Sequence, residues 1–358
     1  MKCIAFLTCV MLPWVTLCDA TLAQDAKDTF NITALDTGVD ASFRGIAIRN
    51  ENEAWVTGSK GTVIRTRDAG RSWKPITVPN ADGLDFRDVE VLPDGSVLLM
   101  SVGPGDSSRI LRATDGGEIW QTMLVNAEPK GFFDGMAFHE NGRIGVLFGD
   151  PIDGFMDIYA TNDGGQTWKR SPVEQRPKLE NGEYGFAASG SSIQIIGPNI
   201  WIATGGSIAR LHHSPDGGKT WQAFPTPVRS GNESSGIFSI DAISPSTLLV
   251  IGGDYLNPEA DQHNFAKSTD GGKTWTTPES VRMPHKACIQ SLGGDRLMAC
   301  GRTGIAYSND VGQTWATISN NSYYNFAFDR DSATGFLAGS DGRVSRFELK
   351  NETENHSR

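Results

Sequence analysis

The chain has 358 residues, of which 38% are apolar, and a formal net charge of −10. That is enough for one large core assembled from repeats, so length alone does not require two domains. The acidic balance, without any basic run, argues against nucleic acid as a partner, because phosphate binding needs a concentrated positive face. The 41 glycines and 17 prolines suit a turn-rich, all-β chain.

Residues 1–23 have the form of a secretory signal: Lys2, an apolar stretch over 4–17, then small residues at Thr21 and Ala23. Cleavage is expected after Ala23. Val15-Thr16-Leu17-Cys18 has the outline of a lipoprotein signal, but Leu17 is bulky where a small residue is wanted. No later stretch reaches the roughly 18 unbroken apolar residues of a membrane span. The mature chain is therefore expected to be soluble and exported, to the periplasm or beyond.

Six copies of a turn motif follow, Ser/Thr-x-Asp-x-Gly-x-Thr-Trp in full form, at 66–73, 113–120, 161–168, 214–221, 268–275 and 308–315. Their aspartates are Asp68, Asp115, Asp163, Asp216, Asp270 and Asp310; Trp73, Trp120, Trp168, Trp221, Trp275 and Trp315 close them. The Asp accepts hydrogen bonds from the turn's own N–H groups, and the Gly supplies a positive φ. The Trp buries a large apolar surface, and its indole N–H needs a partner. Because these needs are local, the aspartates read as turn formers rather than catalysts. The second copy, with Ala113 and Ile119 at polar positions, agrees.

The aspartates are spaced by 47, 48, 53, 54 and 40 residues, the length of one four-stranded propeller blade. The first unit predicts strands at 43–48, 53–58, 62–66 and 72–78. The last, at 324–329, 334–339 and 343–349, has three strands and no Asp motif. The segment Phe30-Asn31-Ile32-Thr33-Ala34-Leu35 precedes Phe43 much as 73–78 precedes Phe86, so it is expected to supply the missing strand. The prediction is an all-β, seven-bladed propeller over 24–349, monomeric, its ring closed by the N-terminal strand completing the last blade. Residues 350–358 read as a disordered tail.

Three of the five cysteines leave with the signal. Cys288 and Cys300 flank a hairpin at Gly293-Gly294-Asp295 in a register that sets them opposite each other. Either they form a cross-strand disulfide, or they are two small buried residues.

In a propeller, the loops between blades share a face with the loops joining second and third strands, and the Asp turns lie opposite. The long segments 151–156, 171–185, 225–235 and 253–264 therefore mark the functional face. Inner strands begin alike at Phe43-Arg44-Gly45, Phe86-Arg87-Asp88 and Phe133-Asp134-Gly135, which puts Arg44, Arg87 and Asp134 at the mouth of the central channel. The two arginines either grip a carboxylate or phosphate, or pair with Asp134 or Asp88 as structural ion pairs. Asp150, Glu183, Tyr184, Arg229, Asp254, Tyr255 and Arg302 complete the candidate binding set. No metal, nucleotide or nucleophile motif is present, and His212-His213 lie on a strand, where neighbours point to opposite faces. No cofactor is expected.

The Asp-turn series resembles the bacterial neuraminidase repeat, or Asp box, of sialidases, sortilin-type receptors and other propellers, over nearly the whole mature chain. Such turns identify a fold rather than a function. Blade units such as Glu53-Ala54-Trp55-Val56-Thr57-Gly58 and Gly335-Phe336-Leu337-Ala338-Gly339 are similar to those of the seven-bladed photosystem II stability/assembly factor-like propellers. This resemblance implies an exported, non-enzymatic scaffold that binds a protein of an envelope or membrane complex. The alternative is a sialidase-type glycoside hydrolase or a glycan-binding propeller, with Arg44, Arg87 and Arg302 as an arginine triad. Against it, Phe43-Arg44-Gly45-Ile46 lacks the proline of the Phe/Tyr-Arg-Ile-Pro motif, and Glu183 and Tyr184 are sequence neighbours rather than a pair across a pocket.

Overall fold

Seven antiparallel sheets are arranged as the blades of a propeller in a computed structural model that describes residues 26, 27 and 29–350. The predicted signal and the tail beyond Lys350 lie outside the described residues. Lys350 itself is held, its N–H donating to the Thr29 carbonyl at 2.9 Å.

Blade 1 runs outward from Phe43–Asn50 through Glu53–Gly58 and Val63–Thr66 to Lys74–Pro75. The same order recurs in blade 2 (from Asp85–Val91), blade 3 (from Phe133–Phe138), blade 4 (from Ile193–Ile196) and blade 6 (from Cys288–Gly293). In blade 5, Ser235–Ala242, Leu248–Asp254 and Phe265–Ser268 are followed only by an isolated bridge from Lys267 to Thr276. Blade 7 comprises Asn325–Asp329, Thr334–Ala338 and Val344–Leu349, and its outermost strand is Phe30–Leu35. The register from Phe30↔Leu349 to Leu35↔Val344 is unbroken, so the expected closure is present. Phe30 fastens it, buried edge-on against Tyr307 at 5.0 Å and tilted against Phe347 at 6.2 Å.

The apolar core lies between neighbouring blades, because each sheet offers both faces to its neighbours. Between blades 1 and 2, for example, Trp55, Val63 and Ile76 pack with Phe86, Val89 and Leu99. Five Asp turns share one bonding scheme. At the first, Asp68 Oδ1 accepts from the Thr66 hydroxyl at 2.8 Å and from Ser72 N–H at 2.9 Å, Oδ2 accepts the Ser72 hydroxyl at 2.6 Å, and Thr66 Oγ1 accepts Gly70 N–H at 2.8 Å. Hydrogen bonds from the residue four places on hold Asp68, Asp216 and Asp270 down at about 2. The second turn lacks this scheme and is held by the neighbouring blade: Arg65 stacks on Trp55 and donates to the Gly116 carbonyl at 2.6 Å. The expectation for the indoles holds in part. Trp120, Trp221 and Trp315 donate to the glycine carbonyl three residues back, whereas the N–H groups of Trp73, Trp168 and Trp275 have no protein partner. Cys288 and Cys300 pair in the expected register and stand as free, buried thiols.

One feature was not predicted. The segment Gly185-Phe186-Ala187-Ala188-Ser189-Gly190-Ser191-Ser192, leading into blade 4, crosses the central channel. Its carbonyls accept from Arg44 (Ala188, 3.4 Å), Arg87 (Ala187, 3.0 Å) and Asn325 (Ser189, 2.7 Å). Its hydroxyls reach the Ala287 carbonyl (Ser189, 2.9 Å) and the Ser239 hydroxyl (Ser191, 2.7 Å). Blades 1, 2, 5, 6 and 7 thus all hold it. Small residues are required there: a Cβ on Gly190 would stand 2.4 Å from Asp88 Oδ1. The plug splits the channel into a lower cavity of 480 Å³, lined by inner strands and by Ser189, Gly190 and Ser191, and an upper one of 460 Å³, lined by Gly185, Phe186, Ala187 and Ala188.

Candidate functional site

A repeated backbone irregularity builds the upper cavity. In blades 1, 2, 3 and 5 the inner-strand register slips by one residue near its start, between Phe43 and Gly45, Phe86 and Asp88, Phe133 and Gly135, and Ile237 and Ser239. The extra residue of a bulge leaves the pleat, which re-aims its side chain. The four extra residues are Arg44, Arg87, Asp134 and Phe238, and all four line the cavity.

The walls differ in chemistry. Arg44 lies over the Tyr324 ring, 4.1 Å from its centroid, a cation–π contact. Burial, and then the neighbouring Arg87, lower the Arg44 guanidinium, so two like charges share the rim. Arg87 bonds Asp85 at 2.8 Å, while Arg44 has no carboxylate partner among the described residues; the ion pairs expected with Asp134 or Asp88 are not formed. Asp88 lies instead beneath the plug, where its Oδ2 accepts Met136 N–H at 2.9 Å. Arg302 enters from blade 6 and donates to the Tyr255 carbonyl at 3.3 Å.

Aromatic rings form a second wall. Phe186 of the plug stacks on Phe238 at 4.1 Å, and Tyr184 and Tyr255 meet Phe186 edge-on at 5.6 and 6.4 Å. The Tyr184 hydroxyl donates to the Glu233 carbonyl at 2.5 Å, tying segment 225–235 to the rim. His285 sits edge-on to Phe238 at 4.6 Å; burial, then Lys286, bring it down to about 4, and neither ring nitrogen has a protein partner.

Asp134 and Asp150 make the third wall. Burial, then Asp150, push Asp134 well above the usual carboxylate range, and burial brings Asp150 up to about 6.

The structure thus gathers Arg44, Arg87, Asp134, Asp150, Tyr184, Tyr255 and Arg302 around one cavity, from blades 1, 2, 3, 5 and 6 and the insertion before blade 4. Three other candidates lie elsewhere. Glu183 is fully buried, accepting from Arg210 at 2.5 Å, the Thr204 hydroxyl at 2.6 Å and the His212 ring at 2.8 Å. It anchors the insertion to blade 4 and is unavailable to a ligand. Asp254 organises its own loop, bonding the Ser234 hydroxyl at 2.6 Å and Leu256 N–H at 2.9 Å. Arg229 bonds the backbone of 262–263. His213 stacks on Trp201 and bonds Asn199, away from His212, and no cluster of metal-ligating side chains occurs among the described residues. The sequence reading missed Phe186, Phe238, His285 and Tyr324. Phe238 occupies the bulge position in blade 5, Tyr324 immediately precedes the inner strand of blade 7 and His285 stands three residues before that of blade 6, so superposing the seven units would have found these three.

No known family model matches the chain. It is 25% identical over 290 residues to the photosystem II assembly protein Ycf48 of Synechococcus sp., spanning 60% of this chain and 82% of that protein. Against Ycf48 of Thermosynechococcus vestitus it is 24% identical over 332 residues, 78% of this chain and 84% of that protein. It is also 23% identical over 293 residues to a xyloglucanase of Paenibacillus sp., where the match spans 74% of this chain but 28% of the enzyme's length. Among solved structures, one described as YCF48 bound to D1 peptide superposes with a TM-score of 0.64 at 17% identity, over 90% of this chain and 97% of the other. YCF48 from Cyanidioschyzon merolae gives 0.59 at 17% identity, over 89% and 99%. The chain is a seven-bladed propeller similar to Ycf48 at low sequence identity.

Proposed function

We propose that this chain is an exported, non-enzymatic propeller that receives a segment of a partner protein at its mouth and serves the assembly of an envelope or membrane complex. The observation that carries this reading is the convergence of Arg44, Arg87 and Arg302, from three separate blades, with an aromatic wall above a plugged channel. Guanidinium groups with spare donors suit carboxylates, and rigid rings supply contact area at low entropic cost. A blocked channel makes the mouth a place to dock rather than a passage. The similarity to proteins named for photosystem II assembly, one described as peptide-bound, supports the same reading.

Crosslinked capture of partners from the host envelope with residues 24–358, beside an Arg44→Ala/Arg87→Ala control, tests it. A defined membrane protein recovered by the wild type and lost by the control is the expected result. Retained glycan without protein would overturn it.

A glycan-binding or glycoside-hydrolase reading draws on a different observation. The three arginines share their cavity with a carboxyl held near neutrality, as a general acid requires, and the chain is similar to part of a xyloglucanase. Turnover of a fluorogenic sialoside that vanishes in Arg44→Ala would favour it.

A further inference from the structure

The arginines account for one side of the mouth; the opposite side carries unsatisfied negative groups. Asp134 is 2% exposed, and neither its Oδ2 nor Oδ1 of Asp150 on the adjacent strand has a hydrogen-bond partner among the described residues. Both carboxyls line the upper cavity. The cation acting on Asp134 is Arg87, whose Nε already serves Asp85 and whose Nη1 serves the Ala187 carbonyl. Two buried carboxyls therefore stand on adjacent strands with one partly committed guanidinium acting on them, an arrangement that is costly unless a cation or protons complete it.

The surroundings specify the missing group. Gly185 lies directly over the pair: its N–H supports Asp150, and a Cβ there would stand 2.4 Å from Asp134 Oδ2. Only a residue without a Cβ packs this closely over that oxygen. Flanking Gly185 in sequence, the rings of Tyr184 and Phe186 line the same cavity, and rings beside carboxylates attract ammonium groups. His285, 2% exposed, lines the same cavity, and its ring nitrogens have no hydrogen-bond partner among the described residues.

We propose that the Asp134–Asp150 side of the mouth is a subsite for a primary ammonium group of the docked ligand, a lysyl side chain or a chain N-terminus. This deepens the docking reading above and rests on the mouth being the binding site. Binding displaces protons that the raised carboxyls hold, so affinity rises with pH. The other charged or titratable groups of the cavity are Arg44, Arg87 and Arg302, the tyrosines Tyr184, Tyr255 and Tyr324, His285, and Glu233 at the rim.

Calorimetry on residues 24–358 with Nα-acetyl-lysine methylamide, its uncharged norleucine counterpart, and glycinamide is the test. The lysine probe, glycinamide or both are expected to bind at least tenfold more tightly than norleucine, and their ranking identifies the source of the ammonium. Affinity should weaken up to tenfold per unit as pH falls below about 6, with proton release on binding. Asp134→Asn and Gly185→Ala should each abolish that preference while keeping a cooperative unfolding transition. If Asp134→Asn does not fold, Gly185→Ala and the pH profile carry the test. No binding by the wild type at 10-fold millimolar excess, equal binding of all three probes, or a preference that survives Asp134→Asn and Gly185→Ala would overturn it. Failure of the probes with intact Arg44- and Arg87-dependent capture removes only this subsite; probe binding without capture removes only the protein-docking reading.

Discussion

Arg44 and Phe238 are equivalent residues of two blades, each the extra residue of an inner-strand bulge, yet one brings a charge to the mouth and the other a ring. The backbone device is shared and the chemistry is free to vary, which is how a repeat fold builds an asymmetric site. Their energetic roles should separate. Phe238 is buried and stacked, so Phe238→Ala is expected to cost about 3 kcal/mol. Arg44→Ala removes a stacked cation and one long hydrogen bond, about 1 kcal/mol, while affecting binding more. Denaturant unfolding of the two variants checks this.

Ring closure rests heavily on Phe30. It is the buried anchor of a six-residue strand paired only with Val344–Leu349, and Phe30→Ala should destabilise the fold by roughly 3–4 kcal/mol. Deleting 24–40 should lower the melting temperature further still. Thermal unfolding followed by tryptophan fluorescence measures both, and an unchanged curve would contradict the closure.

The buried Glu183 network should make the protein acid-labile. Burial opposes ionisation of Glu183, but hydrogen bonds from His212 and Arg210 hold it down at about 2, below its unfolded value. Its contribution is therefore complete above about pH 4.5 and is lost as pH falls toward 2. Burial also lowers His212, so the folded state resists its protonation and loses stability as pH drops below about 6.5. Both effects have one sign and lower the melting temperature as pH falls, whereas the raised carboxyls of Asp88, Asp134 and Asp150 act the opposite way over part of the same range, so the acid loss is read as the difference in slope between the wild type and Glu183→Gln. Glu183→Gln, which leaves Arg210 without its carboxylate, should cost about 3–5 kcal/mol at pH 7 and flatten the acid slope.

Gly190→Ala tests the plug. Its φ of +71° and the 2.4 Å approach to Asp88 oppose any side chain, so a loss of about 2–3 kcal/mol is expected. If the segment were loosely laid across the channel, the variant would melt like the wild type.

Much of the architecture was legible because it repeats. Asp68 and its counterparts make their bonds within a few residues, so their spacing counts six of the seven blades, and the strand pattern of 30–35 announces the closure. The inner strands' shared start at Phe43, Phe86 and Phe133 grouped the next residues, Arg44, Arg87 and Asp134, and all three line the upper cavity. Glu183 was misplaced for a physical reason: whether a carboxylate faces solvent or an Arg210–His212 pair is decided by tertiary contacts that a loop sequence does not encode. The plug was invisible because Gly185 to Ser192 has no periodicity and, apart from Phe186, only small residues. Its structure comes from carbonyls accepting side-chain donors of distant blades, and every sequence has carbonyls.

The pairing of Phe30–Leu35 with Val344–Leu349 also sets an order of events. The first strand of the ring to be synthesised waits for the last, because its only partner is some 310 residues away. Until the two strands meet the chain is an open fan with a bare edge at each end, and the window in which it is vulnerable to aggregation or proteolysis closes only with that contact.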